Sequence, residues 1–212
     1  MSLKKQIEEI LSSEYRGPRA SYGEVDVLKA VIAIGKSETK LGRFKLGQLI
    51  GLGQGEVRTL IARLKDNRLI TVDSRGATLT EKGKKEFALI TKAIPFSSEV
   101  EARDLDLGKT SWSVIVRGKA SKVKKGIEQR DAAIRAGATG ALTVEFVANK
   151  FKIPSVDEKT GPVDCEAMGP SNPWTEIRNR TDPRNGDVVI VSWADDRLLA
   201  EEGALSAALT LL

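Results

Sequence analysis

Histidine is absent from this 212-residue chain, and cysteine occurs once, as Cys165. The first absence removes the commonest general base, proton shuttle and transition-metal ligand. Ser-His-Asp triads, Cys-His pairs and zinc hydrolase sites are thereby excluded within the chain. A single cysteine excludes an internal disulfide and any multi-cysteine metal site. Carboxylate and lysine chemistry stay open, but no catalytic motif stands out. The expectation is a non-enzyme with no cofactor and no metal. Long apolar runs are also lacking, since none reaches the ~20 residues that span a bilayer. The opening MSLKKQIEEI has no apolar stretch behind its lysines, so it is not a secretory signal. A cytoplasmic protein without a membrane partner is expected.

What is present is ordinary globular composition, 41% hydrophobic and 30% charged. The net charge of +5 is unevenly spread. Residues 1–100 hold 18 Lys and Arg against 12 Asp and Glu, whereas residues 101–212 hold 16 against 17. Such asymmetry suits a polyanion-binding N-terminal domain joined to a neutral partner domain.

Apolar spacing sets the expected elements. Leu3, Ile7, Ile10 and Leu11 share one face of a short amphipathic helix. Arg16 to Gly23 is a turn-rich break. Val25, Leu28, Val31 and Ile32 mark a buried helix ending near Gly35, with room for a short strand at Gly42–Phe44. A two-turn helix follows on Leu46, Leu49 and Ile50, broken by Gly51-Leu52-Gly53. The next helix, from about Gln54 to Asn67, carries Val57, Leu60, Ile61 and Leu64 on its apolar side. Leu69–Val72 and Ala77–Leu79 form a hairpin around Ser74-Arg75-Gly76, and Thr80 caps a closing helix.

Residues 95–110 look like a linker, with Pro95, paired serines and alternating charge. Beyond it, Trp112, Val114 and Val116 alternate with polar residues as a half-buried strand. A helix over about 122–136 is expected, with Ser121 as its N-cap. Leu142, Val144 and Phe146 form a second strand that pairs with 151–153. Residues 154–186 read as loop, with prolines at 154, 162, 170, 173 and 183. DVVIVSW, residues 187–193, is nearly all apolar, as a central strand should be. A helix rich in Ala and Leu closes the chain from Asp195. The expected fold has two domains. Residues 1–94 form an N-terminal winged helix-turn-helix, mainly α with a β-hairpin wing and a helical extension. Residues 111–212 form a C-terminal two-layer α+β domain, β-α-β-(β)-β-α, with helices on one face.

The run LGQLIGLGQGEVRTLIARLKDNRLITVDSRGATLTEKGKKEF resembles the winged-helix superfamily over its whole length, about a third of the chain. The complete chain resembles a family of uncharacterised archaeal proteins with an N-terminal winged helix. Its carrying residues are GEVRTLIARL in the first half and GDVVIVSWADD with GALSAALTL in the second. The C-terminal domain is similar to the small α+β domain inserted in some aminoacyl-tRNA synthetases and amidotransferases. That resemblance implies a fold and brings no activity.

In a helix-turn-helix the second helix enters the major groove with its first turns facing the bases. With Val57, Leu60, Ile61 and Leu64 inward, the outward side chains are Gln54, Arg58, Thr59 and Arg63. Gln54 and Arg58 can make paired contacts to adenine and guanine, and Thr59 can touch a thymine methyl or a phosphate. Arg63 suits the DNA backbone, as do Lys45 at the preceding helix and Arg75 at the wing tip. The same charges also fit a solvated helix surface or a protein-interaction module.

Gly51, Gly53 and Gly55 follow a helix, so they are a helix-turn-helix turn and not a dinucleotide fingerprint. Arg117-Gly118-Lys119-Ala120-Ser121 joins a strand to a helix, where backbone amides and two cations suit an anion. Arg117, Gly118, Lys119 and Ser121 are therefore candidate ligand residues, beside the plainer reading of a capped β-to-α turn. Trp112 and Trp193 suit the core, and Trp174 a pocket wall or cover. Cys165 has no basic neighbour in sequence to activate it.

These features favour a transcriptional regulator that binds double-stranded DNA, with a second domain that binds a small-molecule effector, dimerises, or does both. An RNA- or translation-associated protein and a protein-binding adaptor are the alternatives. A homodimer is the default, with the helix at 3–11 and the face of Leu205, Leu209 and Leu212 as candidate dimer surfaces.

Overall fold

Apolar spacing and glycine placement account for most of the elements in the computed structural model, which describes residues 3–12, 22–101, 108–155, 161–167 and 172–212. Two units result, Met1–Lys92 and Ala93–Leu212.

The first unit is helical with one hairpin. It comprises α1 (Leu3–Ser12), α2 (Glu24–Lys36), α3 (Arg43–Ile50), α4 (Gln54–Asp66), β1 (Ile70–Asp73), β2 (Gly76–Leu79) and α5 (Glu81–Ala93). Leu41 makes a single antiparallel bridge to Ala77 ahead of α3, and Arg43 and Phe44, expected in a short strand, belong to α3. Val25, Leu28, Val31, Leu46, Ile50, Val57, Leu60 and Leu64 are buried as their spacing requires. Of the expected break over 16–23, only Tyr22 and Gly23 are described; 13–21 lie outside the described residues.

The α3–α4 turn depends on two glycines. Gly51 ends α3 at φ 79, a left-handed conformation that costs an L side chain about 1–2 kcal/mol. A methyl at Gly47 would come within 2.9 Å of the Leu52 carbonyl and 3.2 Å of Val57. Both helices therefore approach closely at the turn. Glu56 accepts the Gly53 backbone N–H at 2.9 Å and so closes the start of α4. Thr80 does the same for α5, accepting the Gly83 N–H at 3.0 Å.

The second unit is built on a six-stranded antiparallel sheet in the order β3-β4-β8-β5-β6-β7. Its strands are β3 (Phe96–Val100), β4 (Thr110–Val116), β5 (Gly140–Val147), β6 (Lys150–Ile153), β7 (Val163–Asp164) and β8 (Asp187–Ala194). Helices α6 (Ile127–Arg135), α7 (Asn172–Thr181) and α8 (Arg197–Leu209) complete it. Register separates the faces. Ile115, Val189 and Val144 align across β4, β8 and β5, and pack with Trp174 and Ile177 of α7. Residues one step along face the other way, where Arg197 of α8 stacks 4.8 Å over Trp112. Helices thus cover both faces.

That corrects the expected two-layer arrangement with helices on one face. β8 is buried along nearly its whole length because each face meets a helix, the situation its continuous apolar run demands. The expected linker over 95–110 contains β3, which pairs with β4 from Phe96↔Ile115 to Val100↔Ser111; residues 102–107 lie outside the described residues. The expected loop over 154–186 contains β7 and α7, although residues 156–160 and 168–171, Pro170 among them, lie outside the described residues. Helix α6 starts at Ile127, five residues later than its periodicity suggests, because Gly126 at φ 73 forms its N-cap.

Candidate functional site

The exposed side of α4 begins with Gln54 and Arg58, both exposed as expected. The Gln54 amide lies beside Gly47, since a methyl there would meet Nε2 at 3.1 Å. Arg58 makes no ion pair among the described residues. Lys45 on α3 is likewise exposed and unpaired among the described residues. Thr59 is half-buried, and its hydroxyl donates back to the Glu56 carbonyl at 2.8 Å.

Arg63 departs from expectation. It is only 9% exposed, and its guanidinium donates to the Leu11 carbonyl at the end of α1 and lies 5.7 Å from the Tyr22 ring. Helix α1 packs against α2 and α4, so the flank of α4 that periodicity leaves open is already covered. Ile61, expected inward, is in turn half-buried. Arg63 is a packing residue.

At the hairpin tip Arg75 is 78% exposed and sits 3.9 Å from Asp73. Asp73 accepts hydrogen bonds from Lys40 and, at 2.9 Å, from the Arg75 backbone N–H. The Lys40 ammonium, first, and the Arg75 amide hold the Asp73 carboxyl below the usual carboxylate range. This ties the loop before α3 to the tip and leaves the Arg75 head in solvent. Arg43, Lys45, Arg58 and Arg75 are thus exposed cations within this unit.

The Arg117–Ser121 turn has a different character. Asp187, 1% exposed, receives the Arg117 guanidinium at 2.5 Å and the Gly118 backbone N–H at 2.9 Å. The groups expected to cradle an external anion are held by an internal carboxylate. Ser121 is exposed in a single 3-10 turn, Ala120–Lys122, and does not cap α6. Lys119 has its pKa lowered, first by desolvation and then by neighbouring Lys122. The turn is a structural corner, in which Arg117 and Gly118 are engaged by Asp187 and not left open to a ligand.

Asp196 caps α8 through the Leu198 N–H at 2.8 Å, while Asp195 pairs with Lys109 at 3.5 Å. Cys165 is buried, and desolvation pushes its thiol from 9.0 up to about 12. Trp174 is a core residue, its ring 5.5 Å from Phe151. The faces offered as dimer surfaces are used internally, for Ile7, Ile10, Leu205 and Leu209 are all buried within the chain. Among the described residues no cluster of acidic and cysteine side chains suits a metal ion, and no helix is long and apolar enough to cross a membrane.

One polar cleft escaped the sequence reading. It lies between the β3–β4 edge and α7, encloses about 360 Å³, and is bordered by Glu99, Glu101, Lys109, Ser111, Glu176 and Arg180. Apart from Ser111 on β4, these residues come from a segment read as linker and a helix read as loop. No sequence signal joined them.

Among solved structures, the chain is similar to the hypothetical protein PH0730 from the archaeon Pyrococcus horikoshii OT3. The two share 27% identity and a TM-score of 0.71, over 90% of this chain and 93% of that one. No curated protein matches the chain. Residues 107–211, within the second unit, match the family described as a domain of unknown function (DUF4443).

Proposed function

We propose that the first unit is a winged helix-turn-helix that binds double-stranded DNA, and that the protein is a cytoplasmic transcriptional regulator acting as a homodimer. The observation that carries this reading is the α3–Gly51–α4 turn, with exposed Gln54 and Arg58 in the first turns of α4. On this reading α4 enters the major groove, where Arg58 pairs with guanine and Gln54 with adenine. Lys45 and the hairpin's Arg75 contact phosphates, and the Thr59 methyl touches the groove floor. Arg63 holds α1 in place and takes no part. The charge of residues 1–100 agrees in sign with a polyanionic partner.

The test is fluorescence titration of the whole chain against duplex DNA over a range of salt. Affinity should fall steeply as salt rises, with a log–log slope near −0.9 for each phosphate neutralised. A salt-independent or absent signal would remove the reading.

A second reading is favoured by one observation: Phe44 is 66% and Leu49 46% exposed on α3. Such a surface suits a protein-binding adaptor, which shows no salt-sensitive nucleic-acid affinity. Competition between structured RNA and duplex DNA separates the RNA-associated alternative.

A further inference from the structure

The positive charge of the second unit is concentrated in one loop. Five of the sixteen Lys and Arg in residues 101–212 fall within residues 117–126, a stretch that holds none of their seventeen carboxylates. Two of the five are engaged: Arg117 pairs with Asp187, and Lys124 lies 3.4 Å from Glu128. Lys119, Lys122 and Lys125 form no ion pair among the described residues, and the last two are exposed.

The local fold forces two of these lysines together. Residues Ala120–Lys122 make a single 3-10 turn, in which the Lys122 and Val123 backbone N–H groups donate to the Lys119 and Ala120 carbonyls at 2.9 and 3.0 Å. Side chains three apart eclipse in that geometry, which brings Lys119 and Lys122 side by side. The Ala120 N–H donates to the Gly186 carbonyl at 2.9 Å and so ties the turn to the residue before β8. Lys122 is held as well, giving one of its three N–H donors to the Leu211 carbonyl at 3.1 Å. Lys119 has its pKa lowered, first by desolvation and then by the Lys122 charge. Two neighbouring ammonium groups without a counter-charge repel, and an anion shared between them removes that cost.

We propose that this loop contacts the phosphodiester backbone of a nucleic acid, with Lys119 and Lys122 sharing one phosphate and Lys125 meeting a neighbouring one. Besides its cations the loop carries only Gly118, Ala120, Ser121, Val123 and Gly126, so it has no large apolar side chain to seat it in a lipid surface. The proposal rests on the reading of the protein as a nucleic-acid binder, but not on α4 as the point of contact. It gives the second unit a part in that binding, through phosphates and therefore without regard to base sequence. A lone inorganic phosphate meets too few of these lysines to be held firmly.

The test is fluorescence titration of the full chain over a range of salt, against duplex DNA and separately against a structured RNA. The two arms decide which nucleic acid supplies the phosphates. Lys119→Gln with Lys125→Gln should make the log–log slope on duplex DNA shallower by about 1.8, or about 0.9 for each lysine, and on RNA by a little less. The ligand-free Tm of this variant should not fall, since a repulsion is relieved and no bond is broken. Lys119→Arg with Lys125→Arg should keep the native slope. Lys109→Gln with Arg135→Gln removes the same charge from exposed positions elsewhere in the second unit and should also keep it. A native slope in the Lys119→Gln/Lys125→Gln variant on both nucleic acids, a lowered Tm in that variant, an equal loss in the Lys109/Arg135 variant, or no salt-sensitive binding to either nucleic acid would each overturn the proposal. Combined Lys45→Ala, Arg58→Ala and Arg75→Ala tests the first unit by itself, and an unchanged slope there would remove the α4 reading while leaving the loop in place.

Discussion

Asp187 stands under Arg117 and occupies the position an external anion would take, accepting the guanidinium at 2.5 Å and the Gly118 and Arg184 backbone N–H groups at 2.9 and 2.8 Å. An Arg-Gly-Lys run between strand and helix has the composition of an anion cradle. Here the first residue of β8 has already filled it.

Removing that carboxylate should be costly and chemically reversible. Asp187→Ala is expected to lower stability by about 3 kcal/mol, because it strands a partly buried guanidinium and two amides. Inorganic phosphate should then restore part of the loss, while barely affecting the native chain. Urea denaturation with and without phosphate measures both; equal phosphate effects on the two proteins would contradict the filled-corner account.

Arg58 and Arg63 should separate cleanly, although both lie on α4. Arg58→Ala is expected to weaken duplex DNA binding by about 1–3 kcal/mol with little change in Tm. Arg63→Ala is expected to cost about 2 kcal/mol of stability through the lost bond to Leu11, with the salt slope of DNA binding unchanged. Paired titration and melting curves check it. A lower slope in Arg63→Ala would mean that this side chain does reach phosphate.

Arg75→Ala and Lys45→Ala should each make the salt slope shallower by about 0.9. Neither should alter folding, since both heads are exposed. An unchanged slope in both variants would place the DNA, if it binds, on another surface.

Gly51→Ala should destabilise the first unit by about 1–2 kcal/mol, the cost of a methyl in left-handed backbone. Gly51→Asn should recover part of this, because asparagine tolerates that conformation better. Chemical denaturation monitored on the helical signal reads the difference. Equal stability of the two variants would show that the turn relaxes around the methyl.

The Cys165 thiol should resist modification at pH 8 until the chain unfolds, since burial holds it protonated. Its folded pKa, about 12, lies above the ordinary 9.0. Between those values the folded state keeps a proton that the unfolded state loses. Its contribution to stability is therefore complete below pH 9 and is lost as pH rises towards about 12. Cys165→Ser should flatten that alkaline decline. Rapid reaction of the native thiol with a disulfide reagent at pH 8 would contradict this.

Local order came through in the sequence wherever one rule dominated. Val25 to Val31, Leu46 to Ile50 and Val57 to Leu64 repeat at helical spacing, and glycine at 51 and 53 breaks the run. The apolar strand at 187–193 announced itself by composition. Its continuous burial also implied cover on both faces, an implication that a pattern of single elements does not force. Phe96–Val100 was lost because Pro95 and two serines look like linker until β4 pairs with them. Helix α7 was lost because Pro173 reads as a breaker, although a proline in a helix's first turn gives up no hydrogen bond.

Tertiary structure decided the rest, because those outcomes depend on which distant groups meet. Periodicity left Arg63 outside, and only α1, more than fifty residues earlier, turned it inward. Charge pattern made Arg117 a ligand residue, and only the closing of β8 against β4 brought Asp187 beneath it. The polar cleft draws on β3, β4 and α7, whose members are up to 81 residues apart. Sequence fixes what a residue prefers next to its neighbours along the chain. Burial and partner choice follow from contacts whose free energy exists only once the sheet has assembled.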